Sequence, residues 1–269
     1  MKRPALDYFG GKWKMASKII SHFPPHKTFV DVFTGAASIT LRKPHSKNEI
    51  INDLNHEVTD FFKVLRDRNL ELRELLENTP YSREEYRRAR EHSPDILEQS
   101  RRTVVKAWFG IGDSLDNETG FRVSLSQGGS TSGPWVRYTD YLHLYAARMR
   151  GVIIENLDYR EILSRYDRPD TLFYFDPPYI ESERSKKHAY RFDWKFQDHV
   201  EFIGRIQGLK GMAVVSGYMG EPYDTLKWPS VKFKATSQST ERTEYLWLKT
   251  SPGDEVRAAR EEDGEFYDL

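Results

Sequence analysis

Apolar runs rich in β-branched and aromatic residues recur along the chain at positions 28–33, 49–52, 152–155, 171–175, 212–216, 231–235 and 244–249. Each is short enough and apolar enough to predict a buried strand. Several alternate with helical segments, the pattern of an α/β fold with a mostly parallel sheet and helices on its faces. The stretch 196–209 predicts a helix that stops near Gly208 and Gly211. No helix separates the last two strand runs, so an antiparallel hairpin is expected to close the sheet.

Between His56 and Arg150 the pattern becomes helical, with clear start signals. Ser82-Arg83-Glu84-Glu85 has the capping-box spacing, in which a hydroxyl and a carboxylate satisfy each other's end amides. Ser93-Pro94-Asp95 offers a cap, a first-turn proline and an acid suited to a helix N-terminus. Thr139-Asp140 opens a further helix that Gly151 closes. Within this block, residues 120–135 are polar and rich in glycine and serine. They are expected to form a hairpin or mobile loop outside the core. The predicted organisation is a catalytic sheet from 1–55 and 151–250, an inserted helical block at 56–150 and a tail at 251–269.

With 269 residues, 38% hydrophobic and 30% charged, the chain is long enough for a large α/β domain carrying an insertion. It has no cysteine, which excludes disulfides, zinc ribbons and thiol nucleophiles. No apolar run reaches membrane-spanning length, and Met1-Lys2-Arg3-Pro4 is not followed by a signal-peptide core. Formal net charge is zero, yet residues 254–269 hold seven acids against two arginines, an expected disordered tail. The remainder has 39 basic and 34 acidic residues, a balance compatible with a phosphate-binding groove.

The most specific chemistry is Asp176-Pro177-Pro178-Tyr179, placed directly after the apolar run 171–175. Ligands on open α/β sheets bind where strands end. Two prolines stiffen the turn and keep nearby carbonyls out of a helix. A carboxylate, a carbonyl and a ring then face one point, an arrangement suited to the amino group of a flat base. Three further segments join it. Phe29-Val30-Asp31-Val32-Phe33 runs into Thr34-Gly35-Ala36-Ala37-Ser38, a small-residue loop that lets a ligand approach the backbone. The next strand ends at Asn52-Asp53-Leu54-Asn55, where an acid suits ribose hydroxyls. Upstream, Tyr8-Phe9-Gly10-Gly11-Lys12 is a glycine turn with an aromatic residue and a cation, suited to a carboxylate. Together they describe a pocket for a ligand with a ribose, an adenine and a charged tail. The eight histidines show no metal-ligand spacing, so no metal is expected.

From Tyr8 to about Lys249 the chain resembles the Dam-type DNA adenine N6-methyltransferases, which use S-adenosylmethionine. The resemblance rests on Phe9-Gly10-Gly11-Lys12, positions 31–38, Asn52-Asp53-Leu54-Asn55, Asn156-Leu157-Asp158-Tyr159 and the Asp176 turn. Val214-Val215-Ser216-Gly217-Tyr218 and positions 242–248 also look like the family's later strands. It implies a Rossmann-like methyltransferase sheet whose inserted helical block recognises the DNA target. Tyr8, Gly10 and Lys12 match the turn that holds the methionine end of the cofactor. Phe33, Gly35 and Ala36 match the loop beneath it, Asp53 the ribose-binding acid and Asp158 the adenine end. Asp176, Pro177, Pro178 and Tyr179 match the catalytic turn, with Asp176 also beside the cofactor. Ala37 stands where a second glycine is common, and Tyr8 where some relatives have tryptophan.

The implied substrate is adenine in double-stranded DNA, rotated out of the duplex and stacked on Tyr179. Arg122 and Arg137 beside the glycine-rich loop, and Lys186 and Lys187 in segment 181–190, are the expected DNA contacts, alongside Arg184. A cytoplasmic, nucleoid-associated setting in a bacterium or phage-infected host follows. A restriction endonuclease acting on the same site is a compatible partner. Cytosine N4 enzymes of this fold usually carry serine at the Asp176 position, and many RNA enzymes asparagine. A catalytically silent DNA-binding regulator is the alternative from another class, and the intact Lys12, Asp53 and Asp176 argue against it.

Overall fold

The computed structural model describes residues 3–8, 10–111, 115, 119–123, 132–179, 194–237 and 240–250. Phe9, the loop 124–131, segment 181–190 with Arg184, Lys186 and Lys187, and the tail 251–269 lie outside the described residues.

Seven strands form one sheet: β1 (Thr28–Asp31), β2 (Asn48–Asn52), β3 (Ile153–Glu155), β4 (Thr171–Phe175), β5 (Met212–Gly217), β6 (Ser230–Ser237) and β7 (Thr240–Lys249). Their order is β3-β2-β1-β4-β5-β7-β6. The first five are parallel, and β7 runs antiparallel to both β5 and β6. This is the expected α/β sheet with its closing hairpin. β1 ends sooner than its apolar run because the chain turns at Thr34 and Gly35, although the Val32 amide still donates to Tyr174 O.

Strand alternation divides the apolar residues between two faces. Val30, Phe173, Phe175, Ala213 and Val215 pack with Ile162 of α9 (Tyr159–Tyr166) and with Phe202 and Ile206 of α10 (Phe196–Gln207). Phe29, Leu172, Tyr174, Val214, Leu246 and Leu248 pack on the other face with Ile19 of α1 (Ala16–Ile20) and Ile39 of α2 (Ser38–Arg42). β4 and β5 are buried along their whole length. Each large apolar side chain so buried contributes roughly 1.5–3 kcal/mol.

Between β2 and β3 lie α3 (His56–Asp67), α4 (Asn69–Glu77), α5 (Arg83–Arg88), α6 (Ile96–Phe109), α7 (Gly133–Val136) and α8 (Leu142–Met149). Asn55 caps α3 by accepting from the Glu57 amide, and Ser82 caps α5 by accepting from the Glu85 amide. The cap of α6 is Asp95, which accepts from the Leu97 amide. Ser93, expected in that role, instead accepts from the Asp95 amide. Phe61, Val105, Phe109 and Tyr145 of these helices share one apolar cluster with Ala36, Leu41 and Ile51 of the sheet region.

Of residues 120–135, expected as a hairpin or mobile loop, only the two ends are among the described residues. Gly110 and Phe121 form an antiparallel bridge, and α7 begins at Gly133. Trp135 is buried, stands edge-on to Phe109 with centroids 4.7 Å apart, and its indole N–H donates to Thr79 O. Two large aromatic residues supply enough apolar surface to anchor the ends of a run that is polar on average.

Candidate active site

The carboxyl ends of β1, β2 and β4 lie side by side, with Asp31 in register with both Ile51 and Tyr174. From β1 the chain crosses to β2 on one side, while β4 pairs on the other. That reversal is the switch point at which open α/β sheets hold ligands. A cavity of about 340 Å³ opens there. All nine cofactor-site candidates line it: Tyr8, Gly10, Lys12, Phe33, Gly35, Ala36, Asp53, Asp158 and Asp176. Pro178 also lines it; Pro177 is buried behind, and Tyr179 reaches the site through its hydroxyl.

The loop after β1 owes its shape to two left-handed residues. Gly35 has φ +47°, and a Cβ there would meet the Tyr8 ring at 3.1 Å. Ala37 has φ +52°, a left-handed conformation that glycine adopts more readily than alanine. The Gly35 amide donates to Asp53 Oδ2 at 2.8 Å, and the Asn55 amide donates to Asp53 Oδ1 at 2.9 Å. Asn52 ties three chain segments together: its Nδ2 donates to Val32 O and Leu157 O, and its Oδ1 accepts from the Leu157 amide. Asn156 adds a bond from Nδ2 to Asp53 O at 2.8 Å. Asp158 caps α9 by accepting from the Arg160 amide and pairs with the Arg160 guanidinium at 2.9 Å.

The proline corner faces the same space. Lys12 Nζ lies 3.1 Å from Asp176 Oδ1 and donates to Gly10 O at 3.2 Å and to the Tyr179 hydroxyl. Tyr179 in turn donates to Asp176 Oδ1 at 3.2 Å, and its ring leans on Tyr218 with centroids 4.7 Å apart. Burial pushes the Asp176 carboxyl up from its ordinary value, against the pull of Lys12 and the Tyr179 hydroxyl. Asp31, buried beneath and accepting from Thr40 Oγ1 at 2.8 Å, is pushed up to about 7, chiefly by burial.

Several residues here were not anticipated. Trp194 lines the cavity and stands edge-on to Phe33 at 5.3 Å. Glu244 approaches Lys12 from β7, with Oε1 3.8 Å from Nζ. Its signal in the sequence is an acid in phase with Leu246 and Leu248 on an alternating strand. Ser38 and Tyr174 line the cavity and carry buried hydroxyl oxygens without a hydrogen-bond partner among the described residues. Such oxygens are placed to hydrogen-bond a polar group that enters the cavity.

Of the expected DNA contacts, Arg137 is exposed at the end of α7. Arg122 Nη1 pairs with Asp7 Oδ2 at 2.8 Å and its Nε donates to Gly110 O at 2.9 Å. It therefore joins the helical block to the residue preceding Tyr8.

A switch-point cavity, a left-handed glycine loop, an acid after the second strand and an Asp-Pro-Pro-Tyr corner together define a methyltransferase-type site. The family model described as D12 class N6 adenine-specific DNA methyltransferase matches residues 8–248, and the chain belongs to that family. The family implies S-adenosylmethionine as methyl donor and DNA as substrate. Among curated relatives, the modification methylase StsI of Streptococcus sanguinis is 37% identical over 62 residues, 23% of this chain and 9% of that protein. The DNA adenine methylase of Salmonella typhi is 25% identical over 191 residues, 66% of this chain and 65% of that protein. The matches thus span less than two thirds of either relative's length. An rRNA methylase structure from Streptococcus thermophilus aligns over 94% of this chain and 99% of its own, at 12% identity and a TM-score of 0.35, too loose to bear on function. Among the described residues no helix is long and apolar enough to cross a membrane.

Proposed function

We propose that this protein methylates adenine N6 at specific sites in double-stranded DNA, with S-adenosylmethionine as donor. The observation that carries the reading is that the Asp176 corner and the Gly35–Asp53 loop line one cavity, with Lys12 between them. The residues present suit this cofactor. Asp53 is oriented by two amides to accept from ribose hydroxyls, and the Tyr8 turn lies over Gly35 at the methionine end. Phe33 and Trp194 offer aromatic surface to its adenine, and Asp158 an acceptor near it. When bound, the cofactor supplies a sulfonium methyl, already activated for displacement.

The protein's task is then to prepare the nucleophile. The N6 lone pair of adenine is delocalised into the ring, which makes the amine poorly reactive. Asp176 and the Pro177 carbonyl accept the two N6 hydrogens and favour a tetrahedral nitrogen with a directed lone pair. In-line displacement then depends on positioning and on fixed dipoles in a partly dry site. Asp176 is placed to take the proton that N6 loses. Reaching an amine inside a duplex requires flipping the base, at a few kcal/mol, with Tyr179 as the stacking surface. The helical block 56–150 is assigned target recognition, with Arg122 and Arg137 within it and Lys186 and Lys187 of segment 181–190 outside it as DNA contacts. A restriction endonuclease sharing the site, and a cytoplasmic setting, belong to the same proposal.

The test is incubation with labelled methyl donor and, in separate reactions, random-sequence duplex DNA and RNA, followed by reading modified bases at single-base resolution. Methyl groups on adenine at a defined sequence are the expected result. Label on cytosine, on RNA alone or nowhere overturns the proposal in favour of another planar amine or a silent DNA-binding regulator. Asp176→Ala should abolish transfer in a protein that still folds, at a lowered melting temperature because Lys12 loses its nearest counterion; retained transfer removes Asp176 from the acceptor role.

A further inference from the structure

Lys12 poses a difficulty for that chemistry. Its side chain is only 4% exposed and its ammonium sits 3.1 Å from Asp176 Oδ1, the carboxylate the target amine needs. A buried ammonium stripped of its counterion is strongly destabilising. Were Asp176 the only carboxylate within reach, every bond from substrate to Asp176 would compete with a buried ion pair.

Glu244 supplies a second carboxylate. It reaches Lys12 from β7, and its Oε1 lies 3.8 Å from Nζ. Its Oε2 is buried with no hydrogen-bond partner among the described residues. Glu244 is buried and is not among the residues that line the cofactor cavity. A shift of about 1 Å would bring the ammonium to ordinary charged hydrogen-bond distance from it. Resting on the adenine-methylation reading, we infer that Glu244 is a positioning residue: it receives Lys12 when the target amine engages Asp176. It touches neither cofactor nor base. It acts through Lys12, by keeping the buried ammonium paired while Asp176 changes partners.

The test uses the full chain with duplex DNA carrying the site. Wild-type transfer to adenine is measured first; its absence would sink the underlying reading and not this one. Given that activity, Glu244→Gln is expected to lower kcat about tenfold or more while cofactor affinity by calorimetry stays within about twofold. Glu244→Asp should recover part of the loss. A Glu244→Gln variant with wild-type kcat overturns the inference, as does a loss matched by equal weakening of cofactor binding. Lys12→Met supplies the second measurement. In that background Glu244→Gln should cost no further kcat, because the ammonium it serves is gone. Additive losses would refute action through Lys12. The doubly substituted protein, with both charges removed, keeps this comparison open even if Glu244→Gln alone fails to fold.

Discussion

Replacing Asp53 by asparagine tests the cofactor loop at its hinge. The carboxylate accepts from the Gly35 amide at 2.8 Å and from the Asn55 amide at 2.9 Å, one bond to each oxygen. Asparagine has the same shape but only one acceptor oxygen, its other arm being an NH2 donor. Since both neighbours are N–H donors, one of the two bonds becomes an opposition of donors. Losing a hydrogen bond to a charged acceptor costs roughly 1.5–3 kcal/mol. Asp53 is half-buried, so the lower end applies, about 1.5 kcal/mol. For a chain of this size that is a fall in melting temperature of about 3–6 °C. The Gly35 loop also loses its tether, and a cofactor ribose loses an acceptor. Another 1.4 kcal/mol there would raise the cofactor Kd about tenfold. Thermal unfolding without ligand and calorimetric titration with S-adenosylmethionine measure the two effects separately. A variant that melts with the wild type and binds the cofactor equally well refutes the account of Asp53 as both tether and ligand.

The buried acid Asp31 predicts a pH dependence. Its pKa is pushed from 3.8 up to about 7 in the folded protein, first by burial and then by the charges of Asp176 and Asp53, against the Thr40 hydrogen bond. Between those values the folded protein holds a proton the unfolded chain has lost, so stability falls as pH rises through that window. Asp31→Asn keeps an acceptor for Thr40 and should flatten the decline in melting temperature between about pH 4 and pH 7; superimposable slopes would contradict it. Residual slope from Asp176 and Glu244, both also raised, is expected. Arg122→Ala removes the joint to Asp7 and Gly110. With both partners about a third exposed, the ion pair contributes up to about 1 kcal/mol. Melting should drop by a few degrees and cofactor binding should weaken through the adjoining Tyr8. Unchanged melting and cofactor binding would refute that joint and leave Arg122 only its proposed DNA contact.

Much of this site was legible because its pieces are local. Asp176-Pro177-Pro178-Tyr179 has its meaning within four residues, and Gly35 and Asp53 are marked by their place at strand ends. Strand existence was readable from apolar runs, whereas strand ends were not, since they depend on where a neighbour stops pairing. The Ser93 cap failed for a similar reason: Asp95, two residues on, competes for the same helix end and presents its oxygen to the Leu97 amide. Trp135 was hidden in a polar stretch because average composition says nothing about a single anchoring ring. Asn52 looked like part of a turn, yet it binds Val32 and Leu157, partners 20 and 105 positions away.

The amino-acid order alone determined the alternating α/β plan, the proline corner and the small-residue loop, because each depends on neighbours along the chain and on the fixed geometry of proline and glycine. Tertiary structure decided how these pieces meet. The reversal of strand order between β1 and β4 brings loops more than a hundred residues apart to one cavity. Folding β7 against β5 then delivers Glu244 to a lysine near the other end of the chain. Those charges act on one another only because the sheet buries them together, and Coulomb interactions depend on distance and solvent exposure, not on spacing in sequence.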